Sequence, residues 1–273
     1  MFSLLLVCAL QAPKALPSRT IDGFTFTQSA VMVDKLTFQK ITVTDPKKKV
    51  IFTAKDFKAY IRWVADVDKD GTKEVAITTF TGGAHAYENE FLLSLGKVPT
   101  ILGKFEMGNI SGFELKDLNG DGKSEIVGGY DGLAYYHAPY VDSAHVPMVM
   151  GVEGGKLVDK TTQFPGYIQP MLTRSMTALA EAIREQEDLL VKQETRNANL
   201  FDTRGGRAVE PLALAMLLGK EKEVMEKLQW TLSLYDYDKL EKLRPEIKKI
   251  IDKRTNRLTY PKIGHVYDVT KTE

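Results

Sequence analysis

The sequence predicts an α+β protein with its two kinds of structure segregated: an antiparallel β half, then an α-helical bundle. Three observations predict it. From about Phe24 to Phe164, short runs rich in Val, Ile, Phe, Tyr and Thr alternate with clusters of Gly, Asp, Asn and Pro, the pattern of many short strands. After Pro165 and Pro170 the apolar residues fall instead at three- and four-residue steps, the spacing of a helix face. Within the β half one acidic segment occurs twice, so the strands are organised as repeats.

In chain order, Phe2 to Leu10 is an apolar stretch without acidic residues, followed by Leu10, Gln11, Ala12 and then Pro13 and Lys14. It reads as a secretory signal over residues 1–12, too short to span a bilayer as a helix. The only cysteine, Cys8, lies inside it, so cleavage near Ala12 leaves a mature chain with no thiol and no disulfide. The expected location is outside the cytoplasm: periplasmic, cell-surface or secreted. Lys+Arg (37) balance Asp+Glu (36), which leaves no basic footprint for nucleic acid. Hydrophobic residues at 43% and charged residues at 27% fit a packed core and exclude a disordered chain or a multi-span membrane protein.

The β-rich domain is expected over residues 22–165. Asp45-Pro46 separates Ile41–Val43 from Val50–Phe52, Gly96-Lys97 separates Phe91–Leu93 from Thr100–Leu102, and Gly154-Gly155 precedes Lys156–Val158; each reads as a hairpin turn. Lys47, Lys48 and Lys49 fall on the first of these as a solvated tip. The helical domain is expected over residues 166–273. Leu172, Met176, Leu179, Ile183 and Leu190, with Gln186 in the gap, mark one face of a long helix. Residues 198–208, with Gly205-Gly206, read as a loop. Pro211 then opens a second helix that Gly219 ends, Lys220–Leu234 forms a third with Val224, Leu228 and Leu232 inward, and Asp238 caps a fourth that Pro245 interrupts.

The repeated segment carries the chemistry. Asp66, Asp68, Asp70, Gly71, Thr72 and Glu74 recur 51 residues later as Asp117, Asn119, Asp121, Gly122, Lys123 and Glu125. Oxygen side chains at alternate positions, a glycine at the sixth for a sharp turn, a backbone carbonyl at the seventh and a carboxylate at the ninth suit Ca²⁺, which takes six to eight oxygen ligands. Thr72 and Lys123 would supply the carbonyls, while Glu74 and Glu125 would close two Ca²⁺ sites. The alternative is a pair of Asp/Asn/Gly turns held by their own side-chain hydrogen bonds. Strand-like flanks, Tyr60–Val64 and Val75–Phe80 around the first copy, place each loop at a hairpin tip. This distinguishes it from the EF-hand, whose closing Glu lies at position 12 between helices.

At these residues the chain resembles the FG-GAP and VCBS type repeats, in which such a loop joins two strands of a propeller blade. The resemblance implies two blade-like units over about residues 55 to 165. Thr81-Gly82-Gly83-Ala84-His85, with Gly154 to Thr161, also resembles a family of bacterial exported proteins; two cysteines expected after the histidine are replaced here by Ala86 and Tyr87. Two or three blades cannot close a ring, so the helices are expected to cover an edge or face, or the sheets to pack as a sandwich.

No nucleophile elbow, phosphate-cradling glycine loop or zinc-binding helix motif is present. His85, with Tyr87 and Glu88, is either part of a ligand pocket or a loop histidine with its hydrogen bonds satisfied. Tyr136 and His137, in the run Tyr135 to Tyr140, are either a recognition surface or inter-sheet core. The expected function is a calcium-stabilised, non-enzymatic binding or scaffolding module for a protein or glycan outside the cytoplasm. The alternatives are an exported hydrolase with a site near His85, and an adaptor whose helical half offers an apolar groove.

Overall fold

A computed structural model describes residues 18–82, 87–108, 110, 112–192 and 200–270. The strands form three consecutive antiparallel meanders. The first is β1 (Arg19–Ile21), β2 (Phe24–Val33), β3 (Leu36–Thr44) and β4 (Val50–Asp56); the second is β5 (Lys58–Ala65), β6 (Glu74–Phe80), β7 (Glu88–Ser94) and β8 (Thr100–Gly108). The third is β9 (Glu114–Lys116), β10 (Glu125–Tyr130), β11 (Val146–Glu153) and β12 (Lys156–Asp159). Five helices follow: α1 (Pro165–Val191), α2 (Phe201–Arg204), α3 (Gly206–Leu217), α4 (Glu221–Thr231) and α5 (Leu234–Asp252). The protein is α+β, with strands before helices, and among the described residues no sheet closes on itself.

All three expected hairpin turns are present, and Gly154 and Gly155 take the positive φ that a tight turn requires (56° and 72°). Three sheets stand where the repeat pattern marked two units. The first sheet carries no acidic loop; its opening hairpin turns in two residues, Asp22 and Gly23, and so left no repeat to find.

The second sheet is the central layer. Val75, Ile77, Phe91 and Leu93 point into a core shared with Phe26, Ile41, Val43 and Phe52 of the first sheet. Their neighbours Ala76, Leu92, Leu102 and Phe105 point the other way, into a core shared with Ile126, Met148 and Met150 of the third sheet and with the helices. β6 and β7 are accordingly buried at nearly every position, with apolar runs at Val75–Ile77 and Phe91–Leu93. The third sheet is covered by α3, which packs on β11 and is buried nearly all round at Val209, Leu212, Ala213, Leu214 and Leu217. The helices therefore cover one sheet face, as expected.

The predicted apolar stripe of α1 is correct in phase: Leu172, Leu179 and Gln186 are buried and Met176 and Ile183 half-buried. It packs on α3 rather than on the sheets. Three helix boundaries differ from expectation. The segment expected as a loop holds α2 and the start of α3, with Gly205 joining them in helical dihedrals, and both glycines are needed because the chain docks there on the β10–β11 connection: a Cβ on Gly206 would lie 1.9 Å from the Asp142 carbonyl oxygen, and one on Gly205 2.5 Å from that of His137. Pro211 lies inside α3, as Pro170 and Pro245 lie inside α1 and α5, so tertiary packing overrides the lost backbone bond at each. The α5 cap is Ser233, whose Oγ accepts from the Asp236 N–H, and Asp238 is not the cap.

The segment expected to be helical through residue 273 leaves the bundle at Asp252. β13 (Leu258–Thr259) then pairs with β8 at the edge of the second sheet, and β14 (His265–Asp268) adds in parallel to β4 at the edge of the first. Two otherwise open edges are thereby paired.

Candidate metal centre

The loop 66–73 joins β5 to β6 and the loop 117–124 joins β9 to β10, so each acidic segment tips the first hairpin of its sheet, as the sequence predicts. The two share a hydrogen-bond scheme. The N–H of Gly71 donates to Asp66 Oδ2 (3.1 Å) and that of Gly122 to Asp117 Oδ2 (2.9 Å). Thr72 N–H donates to Asp70 Oδ1 (2.7 Å) and Lys123 N–H to Asp121 Oδ1 (2.8 Å). Val67 N–H donates to Glu74 Oε2 (3.0 Å) and Leu118 N–H to Glu125 Oε2 (2.9 Å). Gly71 and Gly122, at φ 87° and 84°, make the turn that only glycine adopts freely.

The loops differ in what remains unpaired. In the first, carboxylate oxygens of Asp66, Asp68 and Glu74 all lie within 4.8 Å of one another. Asp66 Oδ1 and Asp68 Oδ1 are buried without a hydrogen-bond partner. Burial pushes the Glu74 carboxyl up to about 7, the N–H of Val67 pulls it back, and the charges of Asp68 and Asp70 add to the rise. Like charges this close, two of them with an unpaired buried oxygen, are costly unless a cation lies among them. Asp70 is exposed and stands outside the trio. The donor set is all oxygen, which suits a hard cation.

In the second loop Asp117 also accepts from Gly120 N–H (2.7 Å), Asp121 N–H donates to Asn119 Oδ1 (3.2 Å), and Asn119 Nδ2 donates to Asp121 Oδ2 (3.0 Å). Asp117, Asn119 and Asp121 are exposed, and these hydrogen bonds, led by the Lys123 N–H, hold the Asp121 carboxyl below its usual range. Here the carboxylates are satisfied by the loop itself. The loops are neighbours: Ser124 N–H donates to Val67 O (2.8 Å). A cavity of about 90 Å³ lies between them, lined by Asp68, Asn119, Asp121, Lys123 and Glu125 among others. Lys73 bonds Asp22 at the first hairpin of the neighbouring sheet (2.8 Å), tying the first loop in from the other side.

The remaining predicted residues that are described, Tyr87, Tyr136 and His137, do not form one site. His85 lies outside the described residues. Tyr87 is half-exposed and exchanges hydrogen bonds with Thr81. Tyr136 is half-buried against the helical core, with its ring edge-on to His137 at 4.7 Å, and burial raises its hydroxyl pKa. His137 sits over Phe201 and beneath Gly205, where it docks the start of the bundle. Among the described residues no ring contact or hydrogen bond joins Tyr87 to either.

A second polar cluster escaped the sequence reading. Arg62 reaches Glu88 Oε2 (2.8 Å), Thr78 Oγ1 (2.8 Å) and Glu90 Oε2 (3.3 Å); Thr78 Oγ1 donates to Glu90 Oε2 (2.6 Å) and Gly112 N–H to Glu88 Oε2 (3.2 Å). Glu90 is 4% exposed, its Oε1 has no partner, and burial outweighs Arg62 to push its pKa up to about 7. The register of β5, β6 and β7 assembles it, since Thr78 lies opposite both Tyr60 and Glu90. Two glutamates opening an otherwise apolar strand were the available signal. No protein-family model and no curated protein matches this chain.

Proposed function

We propose that this chain is an exported calcium-binding module whose metal is structural, filling the first loop through Asp66, Asp68, Asp70, Glu74 and the Thr72 carbonyl, and the second through Asp117, Asn119, Asp121, Glu125 and the Lys123 carbonyl. The observation that carries the reading is the pair of buried, partnerless oxygens on Asp66 and Asp68 beside Glu74, in one of two loops built to the same hydrogen-bond scheme. Ca²⁺ would neutralise the trio and brace the hairpin. The second and third meanders, which carry the two acidic loops, are the proposed blade-like units, with helices packed on the third.

The role proposed is binding or scaffolding for a protein or glycan partner, at an affinity for calcium of roughly 10⁻⁴ to 10⁻³ M, typical of extracellular modules. Among the described residues no helix is long and apolar enough to cross a membrane. The hydrolase alternative gains little from Glu90, which is nearly fully buried beneath Arg62 and Thr78. The adaptor alternative keeps only part of its apolar face: Leu172 and Leu179 pack on α3, while Met176 stays half-buried and lines, with Val224, a cavity of about 450 Å³ between α1 and α4.

The test is thermal unfolding with excess chelator and again with Ca²⁺. At a hundredfold excess over Kd, binding to the folded state adds about 2.7 kcal/mol per site. Asp66→Ala is expected to remove most of the calcium-dependent rise and Asp117→Ala a smaller part. No rise with calcium, together with no metal in the purified protein, overturns the reading.

A further inference from the structure

Asn119 and Gly120, in the second acidic loop, are the one Asn-Gly pair in the chain. Such a pair is chemically special. The backbone nitrogen that follows an asparagine can attack the side-chain amide carbon and close a cyclic imide, and glycine presents that nitrogen with no side chain to shield it. The first loop has no equivalent, because Asp68 and Lys69 stand at the matching positions. Asn119 and Gly120 are both exposed, and a Cβ on Gly120 would meet nothing within 4 Å, so water reaches the pair.

The loop's own hydrogen bonds meet each requirement of that reaction. The attacking nitrogen must lose its proton, and Gly120 N–H donates to Asp117 Oδ1 at 2.7 Å, a carboxylate placed as general base. The attacked carbonyl gathers negative charge on Oδ1, and Asp121 N–H donates to that oxygen at 3.2 Å. The leaving group is the amide nitrogen, and Asn119 Nδ2 donates to Asp121 Oδ2 at 3.0 Å, which fixes the side chain's orientation. The turn that Asp121 N–H closes on Oδ1 runs through both the Asn119 amide carbon and the Gly120 nitrogen, so nucleophile and electrophile are held in one ring of atoms.

We propose that Asn119–Gly120 is a self-modification site through which the second loop acquires the ligand set of the first. Gly120 N forms a bond to Asn119 Cγ while its proton passes to Asp117. Asp117 returns that proton to the departing nitrogen, the Cγ–Nδ2 bond breaks, and ammonia leaves. Water then opens the imide, adding its hydroxyl to a carbonyl carbon and its hydrogen to Gly120 N. Attack at Cγ leaves an aspartate in an intact backbone. Attack at the backbone carbonyl carbon of Asn119 leaves an isoaspartate, whose extra main-chain carbon spoils the ligand spacing. The aspartate product joins Asp117, Asp121 and Glu125 to make the carboxylate count that Asp66, Asp68, Asp70 and Glu74 give the first loop. It also lacks the Nδ2–H that Asp121 Oδ2 accepts, so the second loop is left, like the first, with carboxylates that a cation relieves. This consequence rests on the calcium reading, whereas the cyclisation does not.

The test holds the full chain in excess chelator in warm, mildly alkaline buffer and follows the tryptic peptide between Lys116 and Lys123 by mass spectrometry over days. Conversion of amide to acid is expected to run roughly tenfold or more faster than in a synthetic peptide of residues 114–126, the low end of what a positioned base contributes. Asp117→Ala is expected to fall to the peptide's rate. Should that variant disturb the loop, the comparison of folded chain with peptide still decides. In an Asp66→Ala background, so that the second loop alone responds, Asn119→Asp is expected to bind Ca²⁺ roughly tenfold more tightly by calorimetry, through its added carboxylate. A rate in the folded chain no higher than in the peptide overturns the modification site, and Asn119→Asp without a gain in affinity overturns its consequence. Cyclisation that outruns the peptide in a chain whose loops bind no calcium sinks the calcium reading alone.

Discussion

The two acidic loops share a residue pattern and three corresponding backbone hydrogen bonds, yet only the first leaves carboxylate oxygens, Oδ1 of Asp66 and of Asp68, buried without a partner. One substitution and one difference in setting account for this. Asn119 stands where the first loop has Asp68, and its amide donates to Asp121 instead of repelling it. The first loop is also hemmed in, by Ser124 of the second loop on one side and by Asp22 through Lys73 on the other, so its oxygens lose water that those of the second loop keep. A ligand pattern therefore sets what a loop can hold, and the neighbours set what it costs to hold nothing.

The largest effect that would sharpen this contrast is a difference of sign in chelator. Asp117→Ala removes the acceptor of two backbone N–H groups and is expected to cost roughly 0.5–1 kcal/mol, discounted for exposure. Asp68→Asn removes a charge from the crowded trio and is expected to be neutral or stabilising without calcium while weakening the response to calcium. Equal destabilisation by both in chelator would break the comparison.

Glu90 supplies a control of intermediate size, a buried carboxylate that already has a cation, Arg62. Its carboxyl is raised from the usual 4.5 to about 7. The folded state therefore holds the proton more tightly than the unfolded state, and the associated stability is present below pH 4.5 and lost as pH rises through 7. Glu90→Gln is expected to flatten the fall in melting temperature across this window while leaving the calcium response intact. A melting profile unchanged by Glu90→Gln would remove the control.

The smallest effect concerns the link between the loops. Ser124→Pro abolishes the N–H that bonds Val67 O and is expected to weaken calcium binding at the first loop about two- to threefold, although Ser124 lies in the second. Calorimetry that finds the first site indifferent would show that the loops act alone.

The register-setting turns at Asp45, Gly96 and Gly154, the apolar stripe of α1 and the position of both acidic loops were legible because each depends on residues close in the chain. The first sheet's place in the series, the Arg62 cluster and the return of β13 and β14 to the sheets were not, because each depends on pairing between residues distant in sequence. Pro211 shows the limit from the other side: a local rule for starting helices yielded to packing of α3 between α1, α5 and the third sheet. By itself the sequence determined that the chain is strands first and helices after, and that two loops carry oxygen-bearing side chains at alternate positions, since periodicity and turn chemistry act over a few residues. Only the tertiary structure decided which loop is left with buried, unpaired carboxylates, because desolvation comes from the sheets stacked on either side.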